Sequence, residues 1–85
     1  MKTIKVEIIT PDKLFLKEDF EFVVLPGESG ELGILPGHSR LFSLLKQGTI
    51  RLVTGETTRK YIVNSGVAYV EPSSIKILSS IVRQA

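Results

Sequence analysis

The 85-residue chain predicts an all-β fold, a two-sheet sandwich of about ten short strands. Three observations predict it. Apolar and polar residues alternate with period two in most segments, as they must when one strand face is dry and the other wet. Gly- and Pro-rich breaks recur about every 8–12 residues, the rhythm of a sandwich or barrel. No segment holds helical spacing for the length a stable helix needs.

Ile4-Lys5-Val6-Glu7-Ile8 alternates apolar with charged. Pro11-Asp12 ends that run, because proline has no N–H to give a ladder. Leu14-Phe15-Leu16 reads as a short second strand. Phe20 to Leu25 starts by alternating and then turns apolar on both faces, which predicts a more enclosed strand. Pro26-Gly27-Glu28-Ser29-Gly30 reads as a turn by composition. Leu41, Leu44 and Leu45 fit helical spacing, with Ser39 as N-cap and Gly48 as stop, while Phe42 and Leu44 fit a strand. The strand is favoured, since so short a stretch cannot sustain a useful helix. Thr49–Val53 and Arg59–Val63 flank Thr54-Gly55-Glu56 as a hairpin. Val67–Val70 and Ile75–Leu78 follow, each behind its own break at Ser65-Gly66 or Pro72-Ser73-Ser74. With no repeat and no linker, residues 1–85 are expected to form one domain.

Hydrophobic residues make up 42% and charged residues 24%, as in an ordinary globular domain, so disordered and collagen-like classes are excluded. No apolar run approaches the ~20 residues that cross a bilayer. Met1 to Lys5 leads straight into alternating sequence with no apolar leader core, so the chain is expected to stay where it is made. The absence of cysteine removes disulfides, thiolate ligands and thiol redox chemistry. The formal charge is +2, but Lys13 and Lys17 sit beside Asp12, Glu18 and Asp19, and Arg59 and Lys60 follow Glu56. A nucleic-acid groove wants a concentrated basic stripe, and a dispersed solvated surface is the better reading. The six aromatics read as alternating inward with aliphatics, with Tyr61 and Tyr69 in core or half-buried positions. That counts against the alternative function, a small nucleic-acid-binding barrel of the OB kind, which needs exposed stacking rings.

Gly30 to Ser39, GELGILPGHS, is the densest glycine and proline cluster. Phosphate loops put glycines between a strand and a helix, and neither that context nor a Gly-Lys-Ser/Thr is present. His38 and Ser39 are adjacent in a tight turn, where a serine and its base rarely meet, so a hydrolase is disfavoured. His38 alone reads as an exposed or backbone-bonded turn residue. One histidine and no cysteine leave no metal-ligand pattern, and no cofactor is implied. Glu28 and Glu31 flank an open turn and read as solvated side chains rather than as a carboxylate pair for acid–base work. No catalytic residue is assigned. Recognition is the remaining activity, and a rigid Gly/Pro loop with small side chains lets another backbone approach closely.

The same stretch resembles the N-terminal β-sandwich domain of the epsilon subunit of F-type ATP synthases (delta in mitochondrial naming). Gly30-Glu31-Leu32-Gly33-Ile34-Leu35-Pro36-Gly37-His38 reproduces the family signature. Thr10-Pro11 after the first strand, Gly48-Thr49-Ile50-Arg51, and Ser65-Gly66-Val67 where Ser-Gly-Gly is usual, extend the match from about residue 3 to 83. The resemblance implies a non-catalytic rotor part that clamps the gamma subunit to the polar loops of the membrane c-ring, beneath the catalytic alpha/beta head. It implies a peripheral position on the cytoplasmic face of the inner membrane, or the organellar equivalent. Carried over by residue, Glu31 belongs to a ring-facing loop, and Gly30, Leu32 and Gly33 around it belong to partner-binding surface. Thr10, Pro36, Gly37 and His38 belong to partner-binding surface, with Thr10 and His38 on the side that meets gamma. Arg40 stands where many relatives have proline, and either an ion pair with an acid on a partner or a solvated side chain fits it. Relatives usually continue into an inhibitory C-terminal helical hairpin, which would begin near Val82-Arg83-Gln84-Ala85. A naturally short chain is therefore expected to lack that inhibition.

Overall fold

A computed structural model describes residues 2–85; Met1, read above as opening the chain without an apolar leader, lies outside them. Ten strands and no helix occur among the described residues: β1 Ile4–Ile9, β2 Leu14–Phe20, β3 Phe22–Gly27, β4 Gly30–Ile34, β5 Leu41–Leu45, β6 Gly48–Thr54, β7 Thr57–Val63, β8 Gly66–Glu71, β9 Ser74–Ser79 and β10 Val82–Gln84. The all-β expectation holds, and residues 41–45 form the strand rather than the helix. The hydrogen-bonded order is β10-β7-β6-β3-β5-β8-β9-β1-β2, with β4 on β3. All neighbours are antiparallel except β1 and β9, which run parallel.

The two layers of the sandwich are halves of one ladder folded at a corner. β3 makes that corner. Its Phe22–Val24 half pairs with β6, whereas Gly27 pairs with Leu45 of β5. The Lys46 N–H donates to the Pro26 carbonyl at 3.0 Å and the Glu28 N–H to the Leu44 carbonyl at 2.9 Å, so the ladder continues around the bend. Pro26 is tolerated in this strand because its missing donor falls where the pairing changes hands.

Alternation sorts the side chains as the sequence predicts. Ile4, Val6 and Ile8 of β1, Ile50 and Leu52 of β6, and Ile75 and Ile77 of β9 are essentially inaccessible and belong to one core cluster fed by both layers. A bulge between Ile8 and Ile9 turns both Phe15 and Leu16 of β2 toward that core, where Phe15 meets Tyr61 edge-on at 5.5 Å. Arg59 joins the layers opposite the corner, where the ladder does not close. Its guanidinium donates to Glu18 of β2 and to the Tyr61 hydroxyl, and lies 5.7 Å from the Phe20 ring centre. The hydrogen bond to Tyr61, and then that to Glu18, raise the Arg59 pKa further above its ordinary value, so the cation is permanent.

Four elements differ from the sequence reading, one being Val82–Gln84, where no strand was read and β10 pairs with β7. The second strand runs on through Lys17-Glu18-Asp19 to Phe20. A charged run is at home there, because β2 is the last strand of the ladder and charge keeps a free edge from pairing with other chains. The strand read from Phe20 breaks at Glu21, whose N–H goes to the Val53 carbonyl at 2.8 Å and whose carboxylate accepts the Gly55 N–H at 2.8 Å. The largest correction concerns the glycine cluster. Gly30–Ile34 is strand β4, paired with β3 from Gly27↔Gly30 to Val23↔Ile34, so the turn shrinks to Glu28 and Ser29. Backbone groups of this stretch are satisfied by β3 rather than left free in a loop.

Candidate partner-binding face

The outward side of the β5-β8-β9-β1-β2 layer is ordered by register into three rows. Leu44↔Val67, Val67↔Leu78, Leu78↔Ile9 and Ile9↔Leu14 are successive pairs, so one row is apolar across all five strands. Leu14 and Leu44 are about half exposed, at 50% and 49%, although the domain already has a complete core beneath them. The next row reads Phe42, Tyr69, Lys76, Glu7, Lys17. The third has Glu71, Ser74, Lys5 and Asp19, with Arg40 beside Glu71. Polarity therefore rises along the strand direction, from an apolar end to a charged end.

Phe42 and Tyr69 overturn the expectation that all six aromatics face inward. Each is 52% exposed, and they lean on one another edge-to-face with ring centres 4.8 Å apart. Tyr61 is the buried tyrosine. The parity that buries Ala68 and Val70 of β8 must turn Tyr69 out. The argument from inward aromatics against nucleic-acid binding accordingly fails at these two rings. The neighbouring cations do not form a phosphate track either, since Glu7 lies between Lys17 and Lys76, 3.9 Å from each, and Glu71 holds Arg40.

The residues singled out in the sequence fall into three places. Leu35-Pro36-Gly37-His38 is a type II turn closed by the His38 N–H on the Leu35 carbonyl at 3.2 Å. Proline presets its second position, and Gly37 at φ 89° supplies the left-handed third position that side chains resist. The Gly37 N–H donates to the Pro72 carbonyl at 2.8 Å, which docks the turn on the β8–β9 connection. His38 is the backbone-bonded turn residue expected. Its Nδ1 lies 2.7 Å from the Ser39 carbonyl, an acceptor, so Nδ1 carries the proton. Arg40 reaches Glu71, whose other oxygen accepts the Ser74 hydroxyl at 3.2 Å. Pro36, Gly37, His38 and Arg40 thus meet at the charged end of the face.

Gly30, Glu31, Leu32 and Gly33 lie apart, on edge strand β4. Glu31 is exposed and takes a hydrogen bond from Arg51 of β6 at 3.2 Å, spanning β3. Thr10 lies at the other end of the face from His38. Its hydroxyl donates to the Lys13 carbonyl at 3.2 Å within the β1–β2 turn, just past the Ile9↔Leu78 pair. Register shows why the sequence reading missed the apolar row. Each of its five members is an ordinary outward residue in its own strand, and although Leu78, Ile9 and Leu14 each interrupt an otherwise polar outer face, no single strand shows that they align. No group of three or more His, Cys, Asp or Glu residues that could hold a metal occurs among the described residues.

Comparison with known proteins agrees with this architecture. Residues 3–85 match the family described as ATP synthase, Delta/Epsilon chain, beta-sandwich domain. The ATP synthase epsilon chain of Bordetella avium is 41% identical over 80 residues, covering 93% of this chain and 57% of the relative. That of Desulforamulus reducens is 42% identical over 84 residues, covering 99% and 64%. The chain thus spans about three-fifths of the length of these curated relatives. A chain in the solved Euglena gracilis mitochondrial ATP synthase (OSCP/F1/c-ring) superposes with a TM-score of 0.92 at 21% identity, covering 99% of this chain and 54% of that one. A chain of the Tetrahymena thermophila mitochondrial ATP synthase central stalk and c-ring gives 0.80 at 15% identity, covering 99% and 69%. These two likenesses concern the fold. With the family matched over nearly its whole length, the chain belongs to the delta/epsilon-chain β-sandwich family of ATP synthases.

Proposed function

We propose that residues 1–85 act as one epsilon-type N-terminal domain, a non-catalytic part of the ATP synthase rotor. It couples the gamma subunit to the polar loops of the c-ring and turns with them beneath the alpha/beta head. Its place is peripheral, on the cytoplasmic face of the inner membrane or the organellar equivalent, held there through the complex. The family match and the names of the relatives support this reading.

One observation carries it. The row Leu44, Val67, Leu78, Ile9, Leu14 is a continuous apolar strip on the outside of a finished core. Scattered surface apolar residues need no explanation, but a contiguous strip rimmed by charge marks a surface that another protein covers. We assign gamma to this face. The assigned contact residues are Thr10 at its apolar end and Pro36, Gly37, His38 and Arg40 at its charged end. Gly30, Glu31, Leu32 and Gly33 are assigned to the ring side, as an edge strand rather than a loop. A sandwich suits torque transfer because its paired backbone resists shear.

Co-elution of the chain with its cognate gamma subunit tests the proposal. A stable complex is expected for the native sequence, and Leu78→Asp is expected to abolish it while leaving the fold intact. A native chain that fails to bind at micromolar concentration sinks the reading. The exposed Phe42–Tyr69 pair favours one rival, stacking on single-stranded nucleic acid. A gel shift with oligonucleotides at low and moderate salt separates the two.

A further inference from the structure

The open seam of the sandwich carries charge at positions that alternation reserves for the core. Glu18 shares its side of β2 with Leu16 and Phe20, and its register partner is the inaccessible Val6. Arg59 shares its side of β7 with Tyr61 and Val63, and its partner is the inaccessible Leu52. Both side chains keep a third to a half of their surface in water. Two apolar side chains here would continue the core across the seam, and an ion pair so exposed adds little to stability. What the pair adds is direction. The guanidinium donates to Glu18 and to the Tyr61 hydroxyl at once, with the Phe20 and Tyr61 ring centres 5.7 and 5.6 Å away.

Among the described residues β2 pairs with β1 alone. Strand β1, by contrast, is held on its other side by β9 from Lys5 to Ile9. Strand β10 covers β7 only from Tyr61 to Val63, so the β7 edge is bare at Arg59. One end of β2 is pinned, because the next residue, Glu21, is bound to Val53 and Gly55. The other end follows the exposed Pro11-Asp12-Lys13 turn. Across the seam, side chains hold the strand: Phe15 edge-on to Tyr61, and Glu18 and Phe20 on Arg59. Release of β2 thus breaks one ladder and leaves every other pairing in place.

Resting on the assignment of gamma to the outer face, we propose that β2 is a flap of that face and that Arg59 is its clasp. The flap carries Leu14, the end of the apolar row, on its outer side and Glu18 and Phe20 on its inner side. A partner seated on Leu14 and the clasp beneath it both favour the closed flap, so each strengthens the other. Arg59 stands in the opposite layer and acts on the face only through β2, as a positioning residue.

Amide hydrogen exchange of the full chain, free and bound to the cognate gamma subunit, tests this. Arg59→Met keeps an unbranched stem against the rings and removes the guanidinium. In the free chain it is expected to speed exchange of the β2 amides bonded to β1 about tenfold, with the β8–β9 amides at native rates. Arg59→Lys should recover only part of that protection, because one ammonium lacks the fork that reaches Glu18 and Tyr61 together. Glu18→Gln, a milder cut from the other side, should speed the same amides about threefold. Binding of gamma should return β2 of Arg59→Met to near-native protection. Native exchange of β2 in both Arg59→Met and Glu18→Gln, or equal acceleration of β2 and β8–β9, overturns the flap. A loosened β2 that bound gamma does not protect again overturns its link to the partner. Failure of the native chain to bind gamma overturns the face assignment and that link, while exchange in the free chain decides the flap by itself.

Discussion

The two outward faces of this sandwich are built by the same alternation and finish differently. On the β10-β7-β6-β3 layer, the apolar outward residues form no row across the strands: Phe22 stands opposite Val53, and Ile62 opposite Thr49. Val24 is outside the core cluster yet only 7% exposed, and the Arg51–Glu31 ion pair crosses its strand from β6 to β4. Arg51 pairs with Lys60 there, and Thr49 and Thr58 occupy neighbouring outward positions. On the β5-β8-β9-β1-β2 layer, five apolar residues from five strands line up instead, with an aromatic pair beside them. The first face is finished by its own side chains. The second is not, which is why the proposed function is assigned to it.

The sharpest way to break that comparison is at Gly66, where the functional layer is tightest. A Cβ built there would lie 2.0 Å from the Leu78 carbonyl oxygen, a backbone atom that cannot swing aside. Gly66→Ala should cost about 4 kcal/mol in urea unfolding, since β8 and β9 would have to separate. A cost below 1 kcal/mol would mean that the close approach under the apolar row is wrong. Ile77 and Leu78 then sharpen the inside-versus-outside distinction within one strand. Ile77→Ala should lose about 3 kcal/mol of stability by emptying the core. Leu78→Ala should change stability by less than about 1 kcal/mol and weaken gamma binding at least as much as it affects folding. Equal stability losses at both positions would remove the reason to treat the outer row as a binding strip.

Smaller effects separate the two faces by charge. Glu31→Lys breaks the exposed pair with Arg51, which should cost at most about 1 kcal/mol and less at high salt. Its larger consequence should be on ring docking, measured by reconstitution on purified c-ring, with gamma affinity unchanged. Equal loss at both surfaces would mean that β4 does not mark the ring side. Lys60→Gln, on the face that finishes itself, should alter neither stability nor binding by more than about 0.5 kcal/mol in melting and titration experiments.

Much of the fold was legible residue by residue. Ile4-Lys5-Val6-Glu7-Ile8 announces a half-buried strand, Thr54-Gly55-Glu56 a hairpin, and the Leu35 to His38 stretch a turn that proline and glycine specify locally. Lys17-Glu18-Asp19 and Gly30–Ile34 were not legible as strands, because neither carries β-forming side chains over most of its length. They extend only because β1 and β3 offer ladders to complete. The glycine signature identified the family from sequence, yet the proposed binding face lies mostly outside that signature.

The period-two pattern by itself determined which side chains enter the core, since burial of one strand face is a local property of alternation. Which outward side chains become neighbours was decided only in three dimensions. Leu44 and Leu14 belong to one strip because four registers, including the parallel match of Ile9 with Leu78, add up across the layer. A slip of one residue in any of them would turn that strand's contribution inward and break the strip. No short window of sequence contains that information, because pairing between distant strands is set by the whole fold.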